Sequence, residues 1–319
     1  MRVIWTCGTE SYDISEYVER VTWEGSDTQV SRTATITVPY NYYKDLYLNI
    51  RPGHLLTLTE QKEIFAGVVT NQPRRGQIGA VSYTAKDFMH YLLRSSGSYN
   101  FKKTTPEKIT RKVCSDLMIQ TGDLYETKKY LPSLLFDNES YYNIIVKSYN
   151  AAARKMSAAY PPAFMPIMDK RKLSVIIKGQ HCGIALDGNN DIISSEYEES
   201  TEEMINRVKV LNKNGKVTGT VENTDDINEY GVYQATYKKT GNENAKTAAA
   251  QMLTGIARTA KIEAIGYVQC RAGYAVNIRD GASGLLGKYY IENDSHTWEN
   301  GIHIMNIGLK FSNELEESR

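Results

Sequence analysis

Cysteine is scarce in this 319-residue sequence: there are four, Cys7, Cys114, Cys182 and Cys270, with no CxxC pair among them. Without paired spacing there is no recognisable cysteine redox or zinc motif, and the four read as reduced, mostly buried thiols of a protein made in the cytoplasm. The five histidines, His54, His90, His181, His296 and His303, are scattered. None has ligand spacing to a cysteine or a second histidine, so no structural metal is expected. Net charge is only +1, which argues against a dedicated nucleic-acid binder. No apolar run approaches the ~20 residues needed to span a bilayer. Residues Met1 to Thr6 carry no signal-peptide pattern. The turn Gly281-Ala282-Ser283-Gly284 lacks the Lys-Ser/Thr of a phosphate loop and precedes a strand, so no cofactor is expected either.

What is abundant is tyrosine, 23 residues against 6 phenylalanines. A tyrosine ring gives large contact area with a polar tip, which suits surfaces buried on assembly; β-propensity explains part of the excess. The 41% hydrophobic content supports real cores, and the length suggests two or more domains.

One stretch organises the rest. From Gly273 to Phe311 the chain reads strand, Gly-rich turn, strand, Glu299-Asn300-Gly301 turn, strand. In the last segment Met305, Ile307, Leu309 and Phe311 alternate with polar or small residues, the period of a strand with one buried face. Gly53 to Ala85 repeats this order. The echo predicts two similar small β modules. Between them lie helix signals. Thr105-Pro106-Glu107 starts a helix with Ile109, Val113 and Leu117 on one face, ending at Gly122. Asn138 to Met156 is a second helix, with Tyr142, Ile145, Val146, Tyr149 and Ala153 inward. Asn214-Gly215 predicts a hairpin whose return strand contains Gly219, a weak point or a bulge. Asn244 to Ile262 has an apolar, small-residue stripe and reads as a helix stopped by Gly266. The charged tail Glu314 to Arg319 is expected to fray.

The expected fold is α+β but mainly β. It has two similar small antiparallel β-barrel (tube-like) domains, with a helical insert and a small β subdomain between them. The expected boundaries are 1–98 for the first barrel, 99–160 for the helical insert and 161–203 for a β/loop subdomain with the acidic stretch. The second barrel, 204–319, contains the helix 244–262.

Candidate chemistry is thin. Asp294-Ser295-His296 has the side chains of a hydrolase triad, but neighbours in a strand point to opposite faces. His90 and Cys114 sit in no nucleophile motif and read as packing residues. The basic residues Lys102, Lys103, Lys108, Arg111 and Lys112 read as a solvated helix face. Between 187 and 203 lie seven acids and no Lys or Arg: Asp187, Asp191, Glu196, Glu198, Glu199, Glu202 and Glu203. Such a run is ordinarily solvated; a charged channel face and paired carboxylates for glycosidase work are the alternatives. No catalytic residue is assigned.

Several stretches carry a resemblance. They are Asp13-Ile14-Ser15, Val18, Val21-Thr22-Trp23, Arg32, Gly53, Phe65-Ala66-Gly67-Val68-Val69 and Tyr83-Thr84-Ala85-Lys86-Asp87. At the other end they are Gly284-Leu285-Leu286-Gly287-Lys288-Tyr289-Tyr290-Ile291-Glu292, His296-Thr297-Trp298 and Gly301-Ile302-His303. Together they resemble the XkdQ/YqbQ family, hub proteins of contractile phage tails and tail-like bacteriocins. The match is weakest over 120–200. The resemblance implies a non-enzymatic homotrimer at the centre of a baseplate. Two barrels in each of three chains would imitate sixfold symmetry, joining the tail tube above to the trimeric spike below. The implied partners are the tube protein, the spike, other baseplate components and the tape-measure protein. DNA would meet the chain only in transit through an enclosed channel, which the acids 187–203 could line. The implied location is the virion tail and baseplate, or the bacteriocin particle, after synthesis and assembly in the bacterial host cytoplasm. The competing readings are a tail-tip cell-wall-degrading enzyme and a carbohydrate-binding module.

Overall fold

The structure, a computed structural model, describes residues 1–44, 47–74, 76, 78–239 and 244–311. The tail expected to fray lies outside them. Among the described residues seven strands open the chain: β1 (Arg2–Cys7), β2 (Glu10–Asp13), β3 (Arg20–Ser26), β4 (Thr33–Tyr40), β5 (Leu55–Glu60), β6 (Lys62–Val69) and β7 (Gly79–Asp87). They pair antiparallel in the order β2-β1-β5-β6-β7-β4-β3. Their alternation is the physical cause of the core. Ala34, Ile36 and Val38 of β4 and Val81, Tyr83 and Ala85 of β7 are buried on one face, and the threonines and serines between them point away. Ile36 lies opposite Tyr83, whose hydroxyl donates to the carbonyl of Leu48 at 2.5 Å.

The next segment holds α1 (Met89–Arg94), β8 (Ser96–Thr104), α2 (Pro106–Asp116), β9 (Gln120–Leu124), β10 (Leu131–Ser140), α3 (Tyr141–Met156), β11 (Phe164–Asp169) and β12 (Lys172–Ile177). The helix predicted at Pro106 is present, but it ends at Asp116; Gly122 belongs to β9. The second helix starts after Ser140, whose hydroxyl accepts from the Asn143 N–H. Its buried face is Ile144, Ile145, Ser148, Tyr149, Ala152 and Ala153, rotated from the expected one. Three strands in this segment escaped the sequence reading. In β8, Tyr99 and Phe101 alternate with exposed residues, a short period-two signal overshadowed by the helix that follows. β8 pairs with β10, and β9 runs parallel to β12.

Then come β13 (Gln180–Asp187) and β14 (Ile192–Ser200). The chain divides into two compact units, one of residues 1–195 with 261–319 and a smaller one of 196–260. The smaller unit contains β15 (Arg207–Leu211), β16 (Val217–Glu222), α4 (Thr224–Tyr230), β17 (Gln234–Lys238) and α5 (Ala245–Ala250). The hairpin at Asn214-Gly215 forms, and its register shifts where Gly219 and Val217 face Val210 and Leu211, so the glycine does mark a bulge. α5 and the β15 sheet share a small core of Val208, Val210 and Ala249.

The helix expected over 244–262 is a correction. Only Ala245–Ala250 is helical, and β18 (Ala257–Ile265) is a strand. The apolar stripe was read at a period of 3.6. Beyond Thr254-Gly255, however, Ala260, Ile262 and Ala264 are buried at a period of two. The end of the chain is β19 (Tyr274–Asp280), β20 (Leu285–Glu299) and β21 (Ile302–Lys310).

Both echoed stretches are three-stranded antiparallel meanders, β5-β6-β7 and β19-β20-β21. They share one sheet. β20 is 15 residues long; its first part pairs with β19 and its last part, Asn293–Glu299, pairs with β3. No closed barrel is formed among the described residues. The fold is mainly β, as expected.

Candidate functional site

The densest polar site lies where β20 meets β3, in the larger unit. Along β20, Asp294, His296 and Trp298 point inward while Ser295, Thr297 and Glu299 point out. Strand geometry thus separates Ser295 from His296, as the sequence predicted, and no triad forms. Trp298 packs into the N-terminal core beside Val21, Trp23 and Ile36.

Arg32 approaches this face from the turn before β4. Its guanidinium grips Asp294 with both oxygens: Nη1 donates to Oδ1 at 2.9 Å and Nη2 to Oδ2. It also lies 4.1 Å over the Trp23 ring. Gly25 leaves room for it: a Cβ there would stand 2.4 Å from Arg32 Nη1, so the guanidinium would have to shift. Asp294 accepts a third bond from the Ala272 N–H at 2.6 Å. Its side chain has no solvent exposure. Burial would raise its pKa, but the Arg32 charge and hydrogen bonds, with His296 and the Ala272 N–H, hold it below the usual carboxylate range.

His296 lies 3.5 Å from Asp294. Burial pushes its pKa down to about 4, against the pull of Asp294 and helped by the Arg32 charge. Its Nε2 stands 3.1 Å from the Cys270 carbonyl and its Nδ1 3.1 Å from His303 Nε2. Beyond His303, Glu60 accepts from Trp298 Nε1 at 3.0 Å and lies 3.3 Å from His303 Nδ1. The His296–His303 pair was missed from sequence. The signal was there: the Glu299-Asn300-Gly301 turn sets Trp298 opposite His303, which brings both rings to one face. Among the described residues no group of three or more potential ligands could hold a metal ion. The arrangement is a buried, charge-balanced lock between β3 and β20, strands from near the two ends of the chain.

The other candidates are dispersed. His90 is on α1, while Cys114 is fully buried in the core of the helical segment, its thiol pushed up to about 12 by burial. The bases Lys102, Lys103, Lys108, Arg111 and Lys112 are exposed. Of the acids, Asp187 accepts from Arg279 and Asp191 from the Tyr267 hydroxyl, and Glu199 accepts from Arg258 and Tyr197. Glu196, Glu198, Glu202 and Glu203 are exposed. The seven are divided between the units, Asp187 and Asp191 in the larger, the rest in the smaller.

Comparison with known proteins gives a consistent answer. The phage-like element PBSX protein XkdQ of Bacillus subtilis strain 168 is 23% identical over 313 residues, 94% of each chain. The 43 kDa tail protein of prophage MuSo2 from Shewanella oneidensis superposes with a TM-score of 0.67 at 12% identity, covering 97% of both chains. The E. coli c3393 protein, described as a type VI secretion component similar to the T4 tail proteins gp27 and gp5, gives a TM-score of 0.54 at 8% identity. That match covers 93% of this chain and 74% of that one. The fold is therefore that of phage-tail proteins. The YQBQ-like family model matches residues 21–310, from the second residue of β3 to the last residue of β21, and the chain belongs to that family.

Proposed function

We propose that the chain is a structural hub of a contractile baseplate, in a phage tail or a tail-like bacteriocin, with no catalytic role. Three copies would form a ring in which two barrel-like halves per chain present six near-equivalent surfaces. These would seat the hexameric tube on one side and the trimeric spike on the other, around a channel. The observation that carries this reading is the pair of three-stranded meanders, β5-β6-β7 and β19-β20-β21, fixed in one sheet by β3 and β20. A duplicated module held rigidly within one chain is what a threefold protein needs to imitate sixfold symmetry. The likeness to the MuSo2 tail protein, and to c3393 with its similarity to the T4 tail proteins gp27 and gp5, supports a tail setting. So does the character of the main polar site, whose groups are paired and buried rather than open to a substrate.

In this reading the exposed acids Glu196, Glu198, Glu202 and Glu203 face the channel and repel the phosphates of passing DNA. Tube, spike and tape-measure proteins are the partners, and the tail is the location. The deciding experiment is an electron-microscopy map of the assembled particle. Density for three copies at the tube–spike junction is expected; six copies, or a place at the periphery, would overturn the reading.

A further inference from the structure

Two cysteines far apart in sequence meet in the fold. β13 runs parallel to β19, with Gln180 opposite Tyr274 and His181 opposite Ala275. The Gly179 N–H donates to the Gly273 carbonyl at 2.7 Å. This register sets the start of β13 beside the turn that precedes β19, where the Cys270 N–H donates to the Tyr267 carbonyl at 2.9 Å. Cys182 Sγ and Cys270 Sγ stand 3.9 Å apart. Cys182 is half-buried and Cys270 is buried. All these residues belong to the larger unit.

We propose that Cys182 and Cys270 are a peroxide-oxidisable dithiol whose disulfide closes a covalent loop containing the whole 196–260 unit. The sulfurs must approach from 3.9 Å to the ~2.05 Å of a disulfide, a shift of about 1 Å for each. The backbone at Cys182 has the freedom to give it. Gly183 follows with φ +86°, where a side chain would strain the chain, and the strand register shifts between His181 and Ala185. The roles of the two sulfurs differ. Cys182 meets solvent, and the hydrogen bond from Cys270, with the Ile184 N–H, holds its thiol down to about 7 against its burial. The Cys270 thiol is pushed up by its bond to Cys182, by burial and by the nearby Asp294 charge. Cys182 is thus the attacking thiolate and Cys270 the resolving thiol.

The chemistry balances with hydrogen peroxide as the oxidant. The Cys182 thiolate attacks one peroxide oxygen. An S–O bond forms, the O–O bond breaks, and hydroxide leaves and is protonated to water. Cys270 then attacks the sulfenic sulfur. The S–S bond forms, the S–O bond breaks, and the departing hydroxide takes the Cys270 proton as a second water. The two sulfurs supply the two electrons that reduce the peroxide. In a reducing cell the pair stays open; outside it closes. The closed loop spans 88 positions, so the disulfide restricts the unfolded chain strongly.

The test uses the full-length protein, reduced, desalted and exposed to hydrogen peroxide, then alkylated and mapped without reductant. A Cys182–Cys270 linked peptide is expected, with a mass loss of about 2 Da reversed by dithiothreitol. Cys7 and Cys114 remain alkylatable. A tryptic cut within 196–260 then leaves one band on a non-reducing denaturing gel and two on a reducing one. The midpoint of thermal unfolding rises on the order of 5 °C in the oxidised form. In C270S the same peroxide leaves Cys182 as a dimedone-trappable sulfenic acid with no cross-link. Native protein in which Cys182 goes to sulfinic acid while Cys270 stays a free thiol would overturn the proposal. So would a cross-link that forms only in denaturant.

Discussion

Replacing Arg32 with methionine tests the lock at the β3–β20 seam. The substitution keeps much of the side-chain volume but leaves Asp294 as a carboxylate with no solvent exposure and no cation. Breaking one side of a buried ion pair typically costs ~3–5 kcal/mol, because a charge is stranded rather than because an attraction is lost. Loss of the contact over Trp23 adds about 0.5–1 kcal/mol. One relief path is built in. His296 lies 3.5 Å from Asp294, and its pKa of about 4 reflects burial and the Arg32 charge against the pull of Asp294. With Arg32 gone, a proton on either group neutralises the site. The cost of R32M is therefore expected near 4 kcal/mol at pH 8 and distinctly smaller at pH 5. Urea or guanidinium unfolding of both proteins at the two pH values measures this, with equal m-values required for the comparison. A further R32M/D294N double variant should recover part of the loss, since no charge is then stranded. A cost below ~1 kcal/mol, or one equally large at pH 5 and pH 8, would refute the account of the seam as a charge-balanced lock.

Other outcomes follow from single sites. In the wild type, His296 titrates near 4 in the fold but near 6.5 when unfolded, so its contribution is present above ~6.5 and is lost as pH falls toward 4; H296N should flatten that limb of a stability–pH curve. Asp87 has the opposite sign. Burial raises its pKa to about 6, against hydrogen bonds from Ser31, Arg32 and Met89. Its contribution is present below ~3.8 and lost as pH rises through 6, and D87N should remove that dependence in unfolding curves. S140A removes the hydroxyl that caps α3 and should cost about 1 kcal/mol, read as a lower denaturant midpoint. G67A should be worse, because a Cβ there would sit 2.5 Å from the Lys86 carbonyl oxygen; a thermal midpoint within a degree of wild type would contradict that packing.

Local features were legible in the sequence and distant ones were not. Both meanders, the Asn214-Gly215 hairpin and the start at Pro106 are set by neighbours a few residues apart, where period and turn chemistry speak directly. The β3–β20 pairing joins Arg20 to Glu299, and no periodicity within either strand names its partner. The same holds for the lock itself: Arg32 and Asp294 were visible as letters but not as a pair. α5 was overextended because alanines fit both helix and strand, and only the Thr254-Gly255 break hinted at the change. The acids 187–203 looked like one feature because they are contiguous in sequence. In the structure Asp187, Asp191 and Glu199 already have internal donors, and the run is split between two units.

In sequence the smaller unit is an insertion within the larger one. The strands that lead out and back are tied together at their inner ends, where the Ile265 N–H donates to the Asp191 carbonyl at 2.9 Å. A chain leaving and returning one hydrogen bond apart can have the intervening segment exchanged, lengthened or replaced by a tight turn without disturbing the sheet that carries it. Shortening the chain between the outer ends of β14 and β18 would therefore leave the Asp191–Ile265 tie and the strands of the larger unit in place.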